Sequence, residues 1–117
     1  MTVRVYEYAK CSTCRKALNF LKGRKTEFTA VAIIDQPPSV SELKAMLGYL
    51  GDLKRLFNTS GVQYREMHIA DKLKTMTESE ALTLLSKNGK LVKRPFVLLV
   101  DHGLVGFKEP EWKAAFK

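Results

Sequence analysis

The chain has 117 residues, of which 45% are hydrophobic and 27% charged, enough for one folded domain around a single core. That balance excludes a disordered tail and a collagen-like polymer. No apolar run approaches the roughly 20 residues needed to cross a bilayer. The longest, Phe96 to Val100, has the length of a strand. The first residues lack an apolar stretch with a cleavage site behind it, so the expected location is the cytoplasm, with no membrane partner.

The formal net charge is +8, which suits an anionic substrate or partner. The excess is uneven. Residues 1 to 30 carry seven cations against two anions, and a second basic group, Lys87, Lys90, Lys93 and Arg94, leads into the long apolar run. No aromatic residues interleave with these cations in the manner of a nucleic-acid platform, so direct nucleic-acid binding is not expected.

In chain order, residues 3 to 8 are β-branched and aromatic and predict a strand. Cys11-Ser12-Thr13-Cys14 follows at once. Cys14, Ala17, Leu18 and Leu21 then fall at helical spacing up to Gly23. Residues 27 to 34 alternate as a second strand. Strand, helix and strand within 34 residues make a βαβ unit with parallel strands. Pro37-Pro38 breaks the pattern. Ser39 with Glu42 is a capping box opening a helix whose apolar face holds Val40, Leu43, Met46, Leu47 and Leu50.

Gly51-Asp52 interrupts that helix, and Leu53, Leu56 and Phe57 predict a short continuation. Asn58 to Gly61 predicts a turn, and residues 62 to 76 read as irregular chain or short helix. Thr77 with Glu80 is a second capping box, and Asn88-Gly89 closes its helix. Arg94-Pro95 precedes a strand over 96 to 100. Asp101-His102-Gly103 forms a hairpin turn, and residues 104 to 107 return as a strand. Pro110 fits the first position of a last helix with Trp112 and Phe116 on its core face.

Cys11 and Cys14 are the only cysteines. A C-x-x-C between a strand and a helix is a redox arrangement. The free N–H groups and dipole of the helix N-terminus stabilise a Cys11 thiolate, and Arg15 and Lys16 add positive charge. Cys11 is then the exposed nucleophile and Cys14, on the apolar face, the resolving thiol. Zinc needs four ligands, and only His68 and His102 remain, far apart in sequence, so no metal is expected. Both histidines read as surface or turn residues, Tyr64-Arg65-Glu66 as a surface pairing, and Trp112 as a core anchor. Arg94-Pro95 reads either as plain strand punctuation or as a cis-proline turn beside the cysteine loop. In the second case Arg94 can hold an oxyanion or the thiolate in its planar fork.

Cys11-Ser12-Thr13-Cys14-Arg15-Lys16-Ala17, the Pro37-Pro38 break, Arg94-Pro95 and Val105-Gly106-Phe107 together resemble the arsenate reductase (ArsC/Spx) family over nearly the whole chain. The resemblance implies an α/β, thioredoxin-like fold: a mixed four-stranded sheet with flanking helices and a helical insertion over about residues 37 to 90, in one domain. It implies a cis peptide at Pro95, catalytic roles for Cys11, Cys14 and Arg94, and substrate contacts from Ser12, Thr13, Arg15 and Pro95.

The family's arsenate reductases attack the oxyanion with one cysteine, hold it with several arginines and draw electrons from glutathione and glutaredoxin. Here Asn58 and Phe107 stand where two of those arginines are expected, with Lys93 or Arg65 as substitutes. The expected activity is that of a thiol-dependent oxidoreductase, arsenate-reductase-like or glutaredoxin-like. It binds no cofactor, uses glutathione or a dithiol protein such as glutaredoxin or thioredoxin as reductant, and acts on a small thiol or oxyanion. The alternative is an Spx-like redox-sensing regulator that binds the RNA polymerase α subunit. A third reading is a glutathione-binding module without turnover.

Overall fold

The structure, a computed structural model, describes residues 3–116. Strand β1 (Val3–Glu7) and strand β2 (Phe28–Ala32) pair in parallel, joined by helix α1 (Ser12–Gly23). Strand β3 (Phe96–Leu98) pairs antiparallel with β1, and strand β4 (Gly103–Val105) pairs antiparallel with β3. The sheet is therefore mixed, four-stranded, and ordered β2-β1-β3-β4. Both strands of the hairpin are shorter than the sequence predicts. The Leu99 amide donates to the His102 carbonyl, which closes the turn early, and Val100 leaves the ladder 79% exposed.

Side chains alternate across a strand, so the sheet has two apolar faces. On one, Val5, Val97 and Leu104 pack with Ala17 and Leu21 of α1 and Trp112 of helix α6 (Glu109–Ala115). On the other, Tyr6, Val31, Phe96 and Val105 meet the segment between β2 and β3. That segment holds helix α2 (Val40–Leu50), a 3-10 turn (Leu53–Leu56), helices α3 (Val62–Glu66), α4 (Ile69–Lys72) and α5 (Glu78–Lys87), and a second 3-10 turn (Gly89–Leu91). Each fully buried aliphatic side chain contributes about 1.5–3 kcal/mol. The second face holds more of them.

Both capping boxes form. Ser39 and Thr77 each accept the amide three residues on, and Glu42 and Glu80 reach back to the cap amides. Glu42 also accepts the Tyr6 hydroxyl at 2.8 Å, which ties α2 to the central strand. The stretch left open as irregular or helical resolves into α3 and α4, divided at His68, whose φ of 54° interrupts the helix. Tyr64 is not part of a surface pairing: it is buried and meets Phe57 edge-on at 6.1 Å, while Arg65 and Glu66 stay exposed. The last helix starts one residue early, with Glu109 first and Pro110 second.

Two glycines are set by packing. A Cβ on Gly89 would lie 2.0 Å from the Ile33 carbonyl oxygen, so the turn after α5 rests directly on the chain leaving β2. Gly106 has a φ of 71° and turns the chain out of β4. Its carbonyl accepts the Trp112 indole N–H at 3.1 Å.

Candidate active site

The C-terminal ends of β1 and β4 and the start of β3 lie on the same edge of the sheet, because β3 runs against both. The cysteine loop leaves β1 at this edge. Its first turn is fixed by the Cys11 amide donating to the Tyr8 carbonyl at 3.0 Å. Cys11 is the N-cap of α1 in extended conformation, and its sulfur accepts the Cys14 amide at 3.3 Å. A sulfur in the place of a capping oxygen faces the unpaired N–H groups of the first turn. Both cysteines are free thiols. Cys14 is fully buried and Cys11 is half-buried rather than fully exposed.

The two thiols are driven apart. Burial pushes Cys11 up, but hydrogen bonds from the Cys14 thiol and amide, with the charge and hydrogen bond of Arg94, outweigh it and hold Cys11 below its ordinary value. Cys14 is pushed up to about 12, first by burial and then by donating to Cys11. The cation acting on Cys11 is Arg94. Arg15 and Lys16, expected to supply that charge, are exposed on α1 and have no part in it.

Arg94 is placed from the far side of the sheet. Its Nη1 donates to the Lys90 carbonyl at 3.3 Å, and its guanidinium carbon lies 5.0 Å from the Tyr8 ring centre. Its Nε is buried and has no partner among the described residues. The Arg94–Pro95 peptide is cis, and Pro95 is buried with its carbonyl accepting the Gly106 amide at 2.9 Å. The structure thus brings Cys11, Cys14, Arg94 and Pro95 to one edge of the sheet. Ser12 and Arg15 are exposed and Thr13 half-buried, and no side-chain hydrogen bond ties any of the three to the Cys11 sulfur. Sequence reasoning missed Tyr8 and Lys90, which hold Arg94. A tyrosine just past a strand and a lysine that contributes only its carbonyl carry no motif.

The two expected arginine positions hold nothing that binds an anion strongly. Phe107 packs against Phe20 and Trp112 at 5.6 and 5.2 Å. The Asn58 amide donates to the Leu91 carbonyl, and its side-chain oxygen accepts the Ser60 hydroxyl at 3.4 Å. Of the suggested substitutes, Arg65 is exposed on α3 and Lys93 lines a separate cavity. Among the described residues, no three His, Cys, Asp or Glu side chains converge as a metal site, and no helix is long and apolar enough to cross a membrane.

The profile of the ArsC family matches residues 6–115. The chain belongs to the ArsC family. Its four-stranded sheet and flanking helices are the thioredoxin-like fold of that family. Uncharacterized protein YusI of Bacillus subtilis is 45% identical, with 97% of each chain covered. An ArsC family related protein from Bacteroides fragilis, of known crystal structure, superposes with a TM-score of 0.92 at 47% identity, over 100% of this chain and 98% of that one. More distant relatives carry two kinds of name. An arsenate reductase of Rhizobium meliloti is 29% identical over 84% of this chain and 69% of its own. A global transcriptional regulator Spx of Streptococcus pyogenes is 26% identical over 96% and 83%.

Proposed function

We propose that this ArsC-family member is a thiol-dependent oxidoreductase built on an arsenate-reductase-like site, with Cys11 as nucleophile and Cys14 as resolving thiol. The observation that carries the reading is the Cys11 sulfur at the N-cap of α1, accepting the Cys14 amide and facing the Arg94 guanidinium. The lowered pKa raises the thiolate fraction of Cys11 over that of an ordinary thiol, and the thiolate is the attacking species.

The reaction balances as thiol–disulfide exchange. The Cys11 thiolate attacks one sulfur of a small disulfide, forms a mixed disulfide and expels the first thiolate. Cys14 then loses its proton and attacks the Cys11 sulfur, forming the Cys11–Cys14 bond and expelling the second thiolate. Two electrons pass from protein to substrate, and a small thiol or dithiol protein, of the glutathione, glutaredoxin or thioredoxin kind, returns them. Cys14, pushed up to about 12, is a poor competitor for the first attack, which gives the step its order. With a single guanidinium at the thiolate, the site favours disulfide sulfur over arsenate as the group attacked.

The test is an activity screen of wild type, Cys11→Ser and Cys14→Ser against arsenate, mixed disulfides and glutathione adducts. Loss of all turnover in Cys11→Ser, with a trapped mixed disulfide in Cys14→Ser, supports the reading. Full turnover by Cys11→Ser overturns it.

A second reading rests on the likeness to Spx over 96% of the chain. In that branch oxidation of the C-x-x-C changes binding to the RNA polymerase α subunit. Redox-dependent capture of purified α subunit by a chain inert to every disulfide would favour it over the enzyme.

A further inference from the structure

Arg94 is the cation that acts on Cys11, yet among the described residues it enters no ion pair. Lys10, Arg15 and Lys16 flank the cysteine in sequence and are exposed. A guanidinium offers five N–H donors. Apart from Cys11 itself, Arg94 donates to the Lys90 carbonyl at 3.3 Å, longer than an ordinary N–H···O bond. Its buried Nε has no partner among the described residues. Hydrogen bonds alone therefore hold this side chain loosely. The contact that remains is the ring of Tyr8, whose centre lies 5.0 Å from the guanidinium carbon.

Tyr8 is fixed in the same corner by its own backbone. It directly follows β1, and its carbonyl accepts the Cys11 amide at 3.0 Å. The residue that closes the first turn of the cysteine loop thus also presents a ring to Arg94. That ring is half-buried and packs against the larger core. Two other arginines lie over aromatic rings, Arg4 on Tyr6 at 5.3 Å and Arg24 on Phe20 at 5.2 Å, but both are exposed. Arg94 is half-buried, and a cation–π contact strengthens as the cation loses water. A carboxylate would orient the guanidinium and cancel its charge. A ring face orients it and leaves it a full cation beside the sulfur.

We propose that Tyr8 is a positioning residue, the face of its ring holding the Arg94 guanidinium at the Cys11 sulfur without neutralising it. Tyr8 acts through Arg94 and takes no part in the exchange itself. The ring face, and not the phenol hydroxyl, is what does this. Its importance for turnover rests on the thiol-exchange reading, whereas alkylation reports the thiolate without turnover.

The experiment is the pH–rate profile of Cys11 alkylation by iodoacetamide, a neutral reagent, with the labelled cysteine mapped by mass spectrometry. The proteins are wild type, Tyr8→Leu, Tyr8→Phe, Arg94→Ala and the double variant Tyr8→Leu/Arg94→Ala. Tyr8→Leu is expected to move the midpoint up by about half a pH unit, which is about threefold less thiolate below it. Tyr8→Phe keeps the ring and is expected to stay near wild type. In the Arg94→Ala background Tyr8→Leu is expected to move the midpoint no further, because no cation is left to hold. A protein with a ring-trifluorinated phenylalanine in place of Tyr8 keeps the shape of the Tyr8→Phe side chain but loses the negative ring face. It is expected to follow Tyr8→Leu, and it carries the test if leucine disturbs the fold.

A Tyr8→Leu profile that superimposes on wild type overturns the proposal, as does an equal shift with and without Arg94. A Tyr8→Phe shift as large as that of leucine assigns the effect to the hydroxyl and overturns it too. So does a fluorinated ring that behaves like phenylalanine. Each of these results leaves the thiol-exchange reading standing, since turnover by Cys11→Ser decides that one. Such turnover would in turn leave the alkylation profiles, and the role of Tyr8 in them, unaltered.

Discussion

The two faces of the sheet contribute to the site in different ways. The face under α1 and α6 is the smaller core, built from Val5, Ala17, Leu21, Val97, Leu104 and Trp112, and α1 brings both cysteines by a local strand-to-helix step. The opposite face is a larger core assembled over the segment from α2 to the second 3-10 turn, and it delivers Arg94 from some 80 residues away in sequence. The nucleophile is therefore a product of local chain geometry, whereas its activation depends on long-range packing. Damage to one face should unfold the protein, while damage to the other should first detune the thiol.

Trp112→Ala is the strongest way to break that comparison. The ring is fully buried, donates to the Gly106 carbonyl and meets Phe20, Phe107 and Phe116. Its removal is expected to cost about 3–5 kcal/mol, read as a lower denaturant midpoint. A loss under about 1 kcal/mol would mean that the smaller core is not the limiting one.

Gly89→Ala probes the larger face. The new methyl meets the Ile33 carbonyl oxygen of the main chain, so the turn or the strand end must move, at about 1–3 kcal/mol. Because the displaced turn leads into Arg94, alkylation of Cys11 at neutral pH should slow as well. Unchanged reactivity in a destabilised variant would show that Arg94 is positioned independently of this turn.

Arg94→Ala isolates the link between the faces. Losing the cation should raise the Cys11 pKa by about one unit, roughly 1.4 kcal/mol. Lysine should restore the pKa better than it restores anion binding, since it keeps the charge and loses the planar fork. The measurement is the pH–rate profile of Cys11 alkylation in the three proteins. Superimposable profiles would place the activating charge elsewhere.

Cys14 gives a stability signature in alkali. Its pKa is raised to about 12 in the folded protein from an ordinary value of 9.0, so the unfolded chain ionises first. Its contribution is complete below pH 9.0 and is lost as pH rises towards 12. Cys14→Ala is expected to flatten the fall of the denaturant midpoint above pH 9.0. An unaltered slope would show that other groups, such as Tyr6, carry it.

The smallest effect expected is from the caps. Ser39→Ala and Thr77→Ala should each cost about 1 kcal/mol. Ser39→Ala should cost the more, because its partner Glu42 also holds Tyr6. Equal losses would mean that the Tyr6–Glu42 contact adds little.

What the sequence determined by itself is what short-range physics writes: the period of the apolar residues in α1, the two capping boxes, the strand–C-x-x-C–helix step and the relative burial of the two thiols. Each depends on residues within a few positions of one another. Tertiary structure decided the rest. Arg15 and Lys16 are near Cys11 in sequence yet lie exposed, while Arg94 acts on it, because the antiparallel return of β3 brings the chain before Pro95 to the end of β1. Tyr64 looked polar by its neighbours and is buried, because α3 turns it against Phe57. Lys54, Arg55, Lys93 and Lys108, which line one hollow beside the end of β4, come from three separate stretches of chain and share no spacing in sequence; loop packing and the pairing of β3 with β4 bring them together.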